Sequence, residues 1–394
     1  MHVPFRFTLL PFVLIATLIA AAPLLLAPPA AAQQVAAPTI AARSWLLLDV
    51  TSGQVLASHE PDIKIEPASL TKLMTAHLTF DALEAKRLAL DARPPVSQAA
   101  WKAIGSRMFV DPAKPATVEE LLNGLIVQSG NDASIILAEA VAGTEQAFAE
   151  LMNREAQRLG MKNTQFRNAT GLPDPQHYTT ARDLALLATR VVSDHPDYFP
   201  MYSKKEYTFN NIRQPNRNRL LFIDPTVDGL KTGHTEAAGY CLIATARRDQ
   251  AGAGFQRRLL SIVLGASSES VRAIESQKLL NWGFQNFDAV RVQVAKKPSG
   301  DYQVWKGAAD TVAGGLEADL VVTVPRGQAD KVKGEVERLR PLVAPIGEGE
   351  RIGTLRVKLD DQVIAERPLV ALQAVAQAGW FGRSWDSIRM MFAK

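Results

Sequence analysis

Pro67-Ala68-Ser69-Leu70-Thr71-Lys72-Leu73-Met74-Thr75 opens a run of helix-forming residues that continues to about Glu84. A proline just ahead of such a run suits a helix start, because its missing N–H would have no partner there. Ser69 therefore stands at the beginning of a helix. Positions i and i+3 share a helical face, so the Lys72 amine can reach the Ser69 hydroxyl. A serine hydroxyl is a poor nucleophile until a base stands beside it. By itself the pattern is weak, since average composition places about one or two Ser-x-x-Lys strings in a chain of this length by chance.

Outward from this stretch the chain reads as alternating strands and helices. Upstream, Ser44 to Asp49 and Gln54 to Ser58 flank Thr51-Ser52-Gly53, the pattern of a β-hairpin. Downstream, Thr117-Val118-Glu119-Glu120 has the spacing of a capping box and opens a helix towards Gln128. Helices follow over about Asp132 to Ala142 and Glu145 to Leu159, stopped by Gly143 and Gly160. Another spans Ala181 to Ser193 with Thr180 as its cap. Strands return at Tyr240 to Ala246 and Leu259 to Gly265, before a helix from about Glu269 to Trp282. The expected fold is one α/β layered domain with helices set between strands.

Two further short motifs share this domain. Ser129-Gly130-Asn131 follows the capped helix, where Gly130 permits a tight turn and a hydroxyl and an amide can face one cleft. Lys231-Thr232-Gly233 lies just ahead of the Tyr240 strand. Its lysine and threonine offer a charge and a hydroxyl to an anionic substrate, and its glycine allows close backbone approach. Each motif alone is ordinary chemistry. Their conjunction, in this order, is the set found in penicillin-binding proteins and class A β-lactamases.

On these residues the chain resembles the D-alanyl-D-alanine carboxypeptidases among the low-molecular-mass penicillin-binding proteins. The likeness extends to Gln128-Ser129-Gly130-Asn131-Asp132-Ala133, Val227 to Thr235, Arg217-Asn218 and Lys278 to Phe284. It implies a transpeptidase-type fold, an antiparallel sheet flanked by helices. It also implies Ser69 as nucleophile, Lys72 as base, and Ser129 as relay to the leaving D-alanine. Asn131 would position the substrate amide and Lys72, while Lys231, Thr232 and Gly233 would hold the substrate's carboxylate end. The backbone N–H groups of Ser69 and His234 would form an oxyanion hole. Arg217 and Arg258 are the candidate forks for a free carboxylate. The expected substrate is a peptidoglycan pentapeptide ending in D-Ala-D-Ala, and β-lactams would acylate the same serine.

A working base must be uncharged, so the site must lower the Lys72 pKa from about 10.4 by burial or by a nearby positive charge, with Lys231 the candidate neighbour. Rival readings are a DD-endopeptidase, an inactive penicillin-binding scaffold and a β-lactamase. The last needs a glutamate beyond the second motif, and Asn163 to Thr180 contains only Asp174. No metal or cofactor is expected in catalysis: six histidines are scattered and no His-Glu-x-x-His occurs. A net charge of +4 without a long Lys/Arg run argues against a nucleic-acid partner. The single cysteine, Cys241, forbids an intrachain disulfide and reads as core filler.

The ends carry other signals. Residues 1–32 hold Arg6, an apolar stretch and a small-residue end, the pattern of a cleaved secretory signal peptide, so the mature chain is expected at the outer face of the inner membrane. The catalytic domain is expected over 39–285, and a small β-sandwich-like domain over 286–372, where short alternating segments succeed one another. Residues 376–394 form an amphipathic helix with Phe381, Trp385, Ile388 and Phe392 on one face, expected to lie in a membrane surface; docking on the β domain is the alternative.

Overall fold

A computed structural model describes residues 35–250, 254–339 and 341–392. The expected signal peptide, residues 1–32, lies outside the described residues. In chain order come β1 (Ser44–Asp49), β2 (Gln54–His59), α1 (Lys72–Glu84), α2 (Gln98–Trp101), α3 (Val118–Asn123), α4 (Asn131–Ala142), α5 (Glu145–Arg158) and α6 (Ala181–Asp194). A small hairpin of β3 (Glu206–Phe209) and β4 (Ile212–Pro215) and the short α7 (Leu220–Ile223) lead to β5 (Val227–Thr235), β6 (Gly239–Asp249), β7 (Gln256–Ala266) and α8 (Glu269–Asn286).

The main sheet has the order β2-β1-β7-β6-β5, with every neighbouring pair antiparallel. Side chains alternate across it with period two. Leu46, Leu48, Ile243, Leu260 and Ile262 enter the larger core beneath α1, α4 and α6. Trp45, Leu47, Leu242, Leu259 and Val263 face the other way, against Leu279 and Leu280 of α8. The expected antiparallel sheet between helical layers is present. Local signals act as anticipated: Thr117 and Glu120 form both halves of a capping box, Thr180 caps α6, and Gly143 and Gly160 end their helices at positive φ.

Beyond α8 a third core gathers Tyr302, Val312, Ile352, Val357 and Leu369. Around it run β8 (Phe287–Gln293), β9 (Gly300–Gln303), β10 (Thr311–Gly315), β11 (Leu320–Pro325), β12 (Val332–Arg338), β13 (Arg351–Leu359) and β14 (Gln362–Ala371). They form a five-stranded sheet in the order β12-β13-β14-β10-β9 and the pair β11-β8. Strands β10 and β12 have no counterpart in the sequence reading. The first ends in two glycines and the second is largely exposed and charged, so neither alternates clearly.

The two parts meet at a buried polar joint. Asp49 Oδ2 accepts from Arg257 Nε at 2.7 Å and from Thr323 Oγ1 of β11 at 2.6 Å. The Arg257 Nη1 donates to the Phe287 carbonyl at 2.7 Å, where β8 begins.

The chain closes with α9 (Trp380–Phe392). Asp386 accepts from the Lys306 backbone N–H at 2.6 Å, and the Arg389 guanidinium lies 5.8 Å from the Trp305 ring centre. Trp380, Phe381, Trp385 and Met391 remain 64 to 82 % exposed. The side chains of Ile388 and Phe392, two positions of the anticipated apolar face, lie outside the described residues. Among the described residues no helix is long and apolar enough to cross a membrane.

Candidate active site

Ser69 lies in a 3-10 turn over Ala68–Thr71, and Lys72 begins α1. A 3-10 turn has three residues per turn, so positions i and i+3 eclipse and their side chains leave on the same side. Lys72 Nζ is 3.1 Å from Ser69 Oγ. It is also 2.7 Å from Asn131 Oδ1 and 2.6 Å from the Thr170 carbonyl. A neutral amine has two N–H groups and one lone pair. The two oxygens at the shorter distances accept both N–H groups, which leaves the lone pair for the Ser69 O–H.

The second motif follows a π turn over Gly124–Gln128, into which the expected α-helix changes after Asn123. Such insertions recur at functional sites, where they re-aim a side chain. The residue forced left-handed here is Ser129 itself, at φ 66°, whereas Gly130 is extended. The glycine is needed for space instead: a Cβ at 130 would stand 2.9 Å from Asp132 Oδ1 and 3.2 Å from the Met108 nitrogen. Asn131 then opens α4, and its Nδ2 donates to the Ile104 carbonyl at 2.6 Å, which fixes the amide's orientation towards Lys72.

Lys231-Thr232-Gly233 lies ahead of β6, as anticipated, and within a strand of its own, β5, at the sheet edge. Val227 to Thr235 is too rich in polar residues and glycine to alternate as strands do. β5 runs against the Ser69 turn, for a Cβ at Gly233 would be 3.2 Å from Ala68 Cβ and from the Pro67 carbonyl. Lys231 Nζ is buried and donates to Ser129 Oγ at 3.0 Å. Ser69, Ser129, Asn131, Thr232, Gly233 and His234 line one cleft of about 610 Å³. All three motifs meet there.

Burial holds Lys72 down to about 7, and the positive charge of Arg217 adds to the effect, opposed by Asp132 and Glu145. Desolvation therefore leads, and the assisting cation is Arg217 in place of the anticipated Lys231. Lys231 is itself held well below the ordinary lysine range, first by burial and then by Lys72, Arg217 and Arg272. The charge of Lys72 thus disfavours that of its neighbour Lys231.

The sequence model of the family described as "D-alanyl-D-alanine carboxypeptidase" matches residues 31–268. The chain belongs to that family. A second model, "Penicillin-binding protein 5, C-terminal domain", matches residues 287–377. The D-alanyl-D-alanine carboxypeptidase DacC of Escherichia coli K12 is 42 % identical over 370 residues, 91 % of this chain and 90 % of that protein. DacA of the same strain is 39 % identical over 90 % of this chain and 89 % of its own length. Among solved structures, penicillin binding protein 5 from Haemophilus influenzae superposes with a TM-score of 0.83 at 38 % identity, covering 87 % of this chain and all (100 %) of that one. Penicillin-binding protein D2 of Listeria monocytogenes, solved in an ampicillin-bound form, has a TM-score of 0.57 at 31 % identity, covering 64 % of this chain and 100 % of its own.

Of the two arginines anticipated as carboxylate forks in this carboxypeptidase-family chain, Arg217 lines the cleft and Arg258 does not. Arg258 on β7 is bound bidentately to Asp228 at 2.7 and 2.8 Å, donates to Thr245 Oγ1 at 2.9 Å and stacks 4.9 Å from the Phe199 ring centre. Its fork is already occupied, so it is withdrawn as a substrate ligand. Arg272 of α8 lines the cleft in its place, bonded to Glu269 at 2.9 Å. No motif marked it, because it is one arginine on a mixed helix. His234 is exposed and its ring stacks 4.0 Å from Tyr240, in keeping with a side chain that shapes the strand end.

Sequence reasoning also passed over Asp132 and Gly171. The Asp132 carboxylate accepts backbone N–H groups from Met108, Phe109 and Val110 at 2.9, 2.8 and 3.2 Å, fixing the loop that carries the Ile104 carbonyl. Gly171 has φ +84°, and a Cβ there would stand 1.8 Å from the Ala68 carbonyl oxygen and 3.0 Å from the Ser69 nitrogen. Gly171→Ala must push the Ser69 turn aside. Misplacement of a reacting group by about 1 Å costs about 100-fold. The variant is therefore expected to acylate about 100-fold more slowly than the parent in a stopped-flow measurement with a chromogenic β-lactam.

Proposed function

We propose that the chain removes the terminal D-alanine from peptidoglycan pentapeptides through an acyl-enzyme on Ser69, and that β-lactams acylate the same oxygen. The observation that carries this is the pair of linkages in one cleft, Lys72 Nζ to Ser69 Oγ at 3.1 Å and Lys231 Nζ to Ser129 Oγ at 3.0 Å. Neutral Lys72 takes the Ser69 proton as the oxygen attacks the penultimate D-alanine's carbonyl. The developing oxyanion is held by the backbone N–H groups of Ser69 and His234. Ser129, oriented by Lys231, passes its proton to the leaving nitrogen and takes a replacement from the Lys72 ammonium; water then attacks the ester, Lys72 accepts the water's proton and returns it to the departing Ser69 oxygen. Asn131 keeps Lys72 in line, and Arg217 and Thr232 receive the free carboxylate.

Class A β-lactamases hydrolyse the β-lactam ester with a glutamate placed beyond the second motif. The loop from Asn163 to Thr180 turns Thr170, Gly171 and Leu172 to the cleft, while its Asp174 lies 4.0 Å from Arg167 and is not part of the lining. That supports a penicillin-trapping peptidase over a β-lactamase. Incubation with a peptide ending in D-Ala-D-Ala should release D-alanine, and Ser69→Ala should release none. Equal rates in both proteins would contradict the proposal.

The same proposal extends to location: an exported enzyme at the periplasmic face of the inner membrane. The basic, apolar and small-residue succession of residues 1–32 supports export. The exposed Trp380, Phe381, Trp385 and Met391, with Asp386 turned inward, support a helix that enters a lipid surface by its aromatic side. Deleting residues 378–394 is expected to move the protein from the membrane pellet to the supernatant while hydrolysis of soluble peptide is unchanged. A truncated chain that still sediments with membranes would contradict the anchor.

A further inference from the structure

His77 of α1 and His195, the residue that ends α6, are 118 positions apart and meet inside the catalytic domain, away from the cleft. His77 Nδ1 stands 2.7 Å from His195 Nε2. The outward nitrogens each face a carboxylate: His77 Nε2 is 2.9 Å from Glu155 Oε1 on α5, and His195 Nδ1 is 2.7 Å from Glu84 Oε1 at the end of α1. The Asp81 carboxylate spans the pair, 3.8 Å from Nε2 of His77 and 3.8 Å from Nε2 of His195. Both imidazoles are buried, whereas Asp81 is partly open to solvent.

An ionised carboxylate only accepts, so each outward nitrogen must carry the proton of its ring. The two inward nitrogens then present lone pairs to each other at 2.7 Å, which repel. Something positive must lie between them. A single shared proton would do, and so would a metal ion. A histidine whose outer N–H is held by a carboxylate is the usual form of a metal ligand, and here two such pairs converge beside a third carboxylate.

We propose that His77 Nδ1, His195 Nε2 and the Asp81 carboxylate form a binding site for a divalent transition metal, of which Zn²⁺ is best suited. Glu155 and Glu84 orient the two rings, and water completes the coordination. Imidazole nitrogen with one carboxylate favours zinc or its neighbours over magnesium or calcium, which prefer oxygen throughout. Asp81, Glu84 and Glu155 bring three negative charges, and Arg158, bonded to Glu155 at 2.7 and 2.6 Å, brings one positive charge. At metal–nitrogen distances of about 2.0–2.1 Å, tetrahedral ligands sit about 3.3 Å apart, so the rings need to part by about 0.6 Å. The bound ion would tie α1, the helix that carries Lys72, to the end of α6.

The test uses the full chain without a histidine tag, stripped with chelator and titrated with Co²⁺ as a visible probe, then with Zn²⁺ in competition. One Co²⁺ per chain is expected, with the absorption of a four-coordinate ion, displaced by Zn²⁺. Zn²⁺ should also raise the unfolding temperature. His195→Gln should abolish the band and the thermal shift. Should that variant fail to fold, Glu84→Gln decides alone: it leaves all three ligands in place and should weaken Co²⁺ binding about 10- to 100-fold. No Co²⁺ bound by the parent at micromolar concentration would mean a shared proton only and would overturn the proposal. Unchanged binding in either variant would overturn it too.

Discussion

Lys72→Ala should acylate about 100- to 10,000-fold more slowly than the parent with both peptide and β-lactam, the span that a positioned general base contributes. The loss should fall on the acylation rate and leave encounter with substrate little changed, because Lys72 lies beneath the cleft and touches Ser69, Asn131 and Thr170. Its pH dependence follows from burial. The amine is held at about 7, and only its neutral form takes a proton, so acylation in the parent should rise with pH through about 7 and then level off. Lys72→Ala should lose that rise. Stability carries the same signature. An unfolded lysine titrates near about 10.4, so between about 7 and 10.4 the unfolded chain binds more protons than the folded one. Stability therefore increases with pH across this window and falls as pH drops towards about 7. Lys72→Ala should flatten that slope in denaturant titrations at several pH values.

Asp49→Ala should have the largest effect on stability. Asp49 and Arg257 are both buried, their contact is 2.7 Å, and the aspartate also accepts from Thr323 across the joint between the two parts. Removing one member strands a buried guanidinium, a loss of about 3–5 kcal/mol. For a unit of this size each kcal/mol moves the midpoint by about 2–4 °C, so a fall of about 6–20 °C is expected by calorimetry. Asp49→Leu combined with Arg257→Leu should recover much of the loss, since apolar pairs often replace a buried ion pair without penalty. A double variant that is no more stable than Asp49→Ala would show that the joint depends on its hydrogen bonds and not on the stranded charge.

Much of the site was legible because its chemistry is local. Ser69 and Lys72 are one turn apart, Ser129 and Asn131 flank a single glycine, and Lys231 to His234 are contiguous. Caps were equally plain, since Thr117, Glu120 and Thr180 act on amides three residues away. What escaped depends on distance. Arg272 reaches the cleft only because α8 packs behind β6 and β7, and Arg258 is claimed by Asp228, thirty positions earlier. Strand β5 carries the third motif yet lacks alternation, because an edge that meets both the Ser69 turn and the cleft cannot spend its side chains on a core. The left-handed backbone falls on Ser129 and not on Gly130, a distinction no residue preference reveals. His77 and His195 looked scattered until the packing of α1 against α6 joined them.

In the proposed mechanism the hydroxyl of Ser69 attacks, activated by an uncharged amine beside it. Intact mass and peptide mapping after incubation with benzylpenicillin decide whether it does. One adduct of the whole antibiotic is expected, on the peptide containing Ser69, absent in Ser69→Ala and much slower to form in Lys72→Ala. An unmodified Ser69, or an adduct that maps to any other residue, would contradict it.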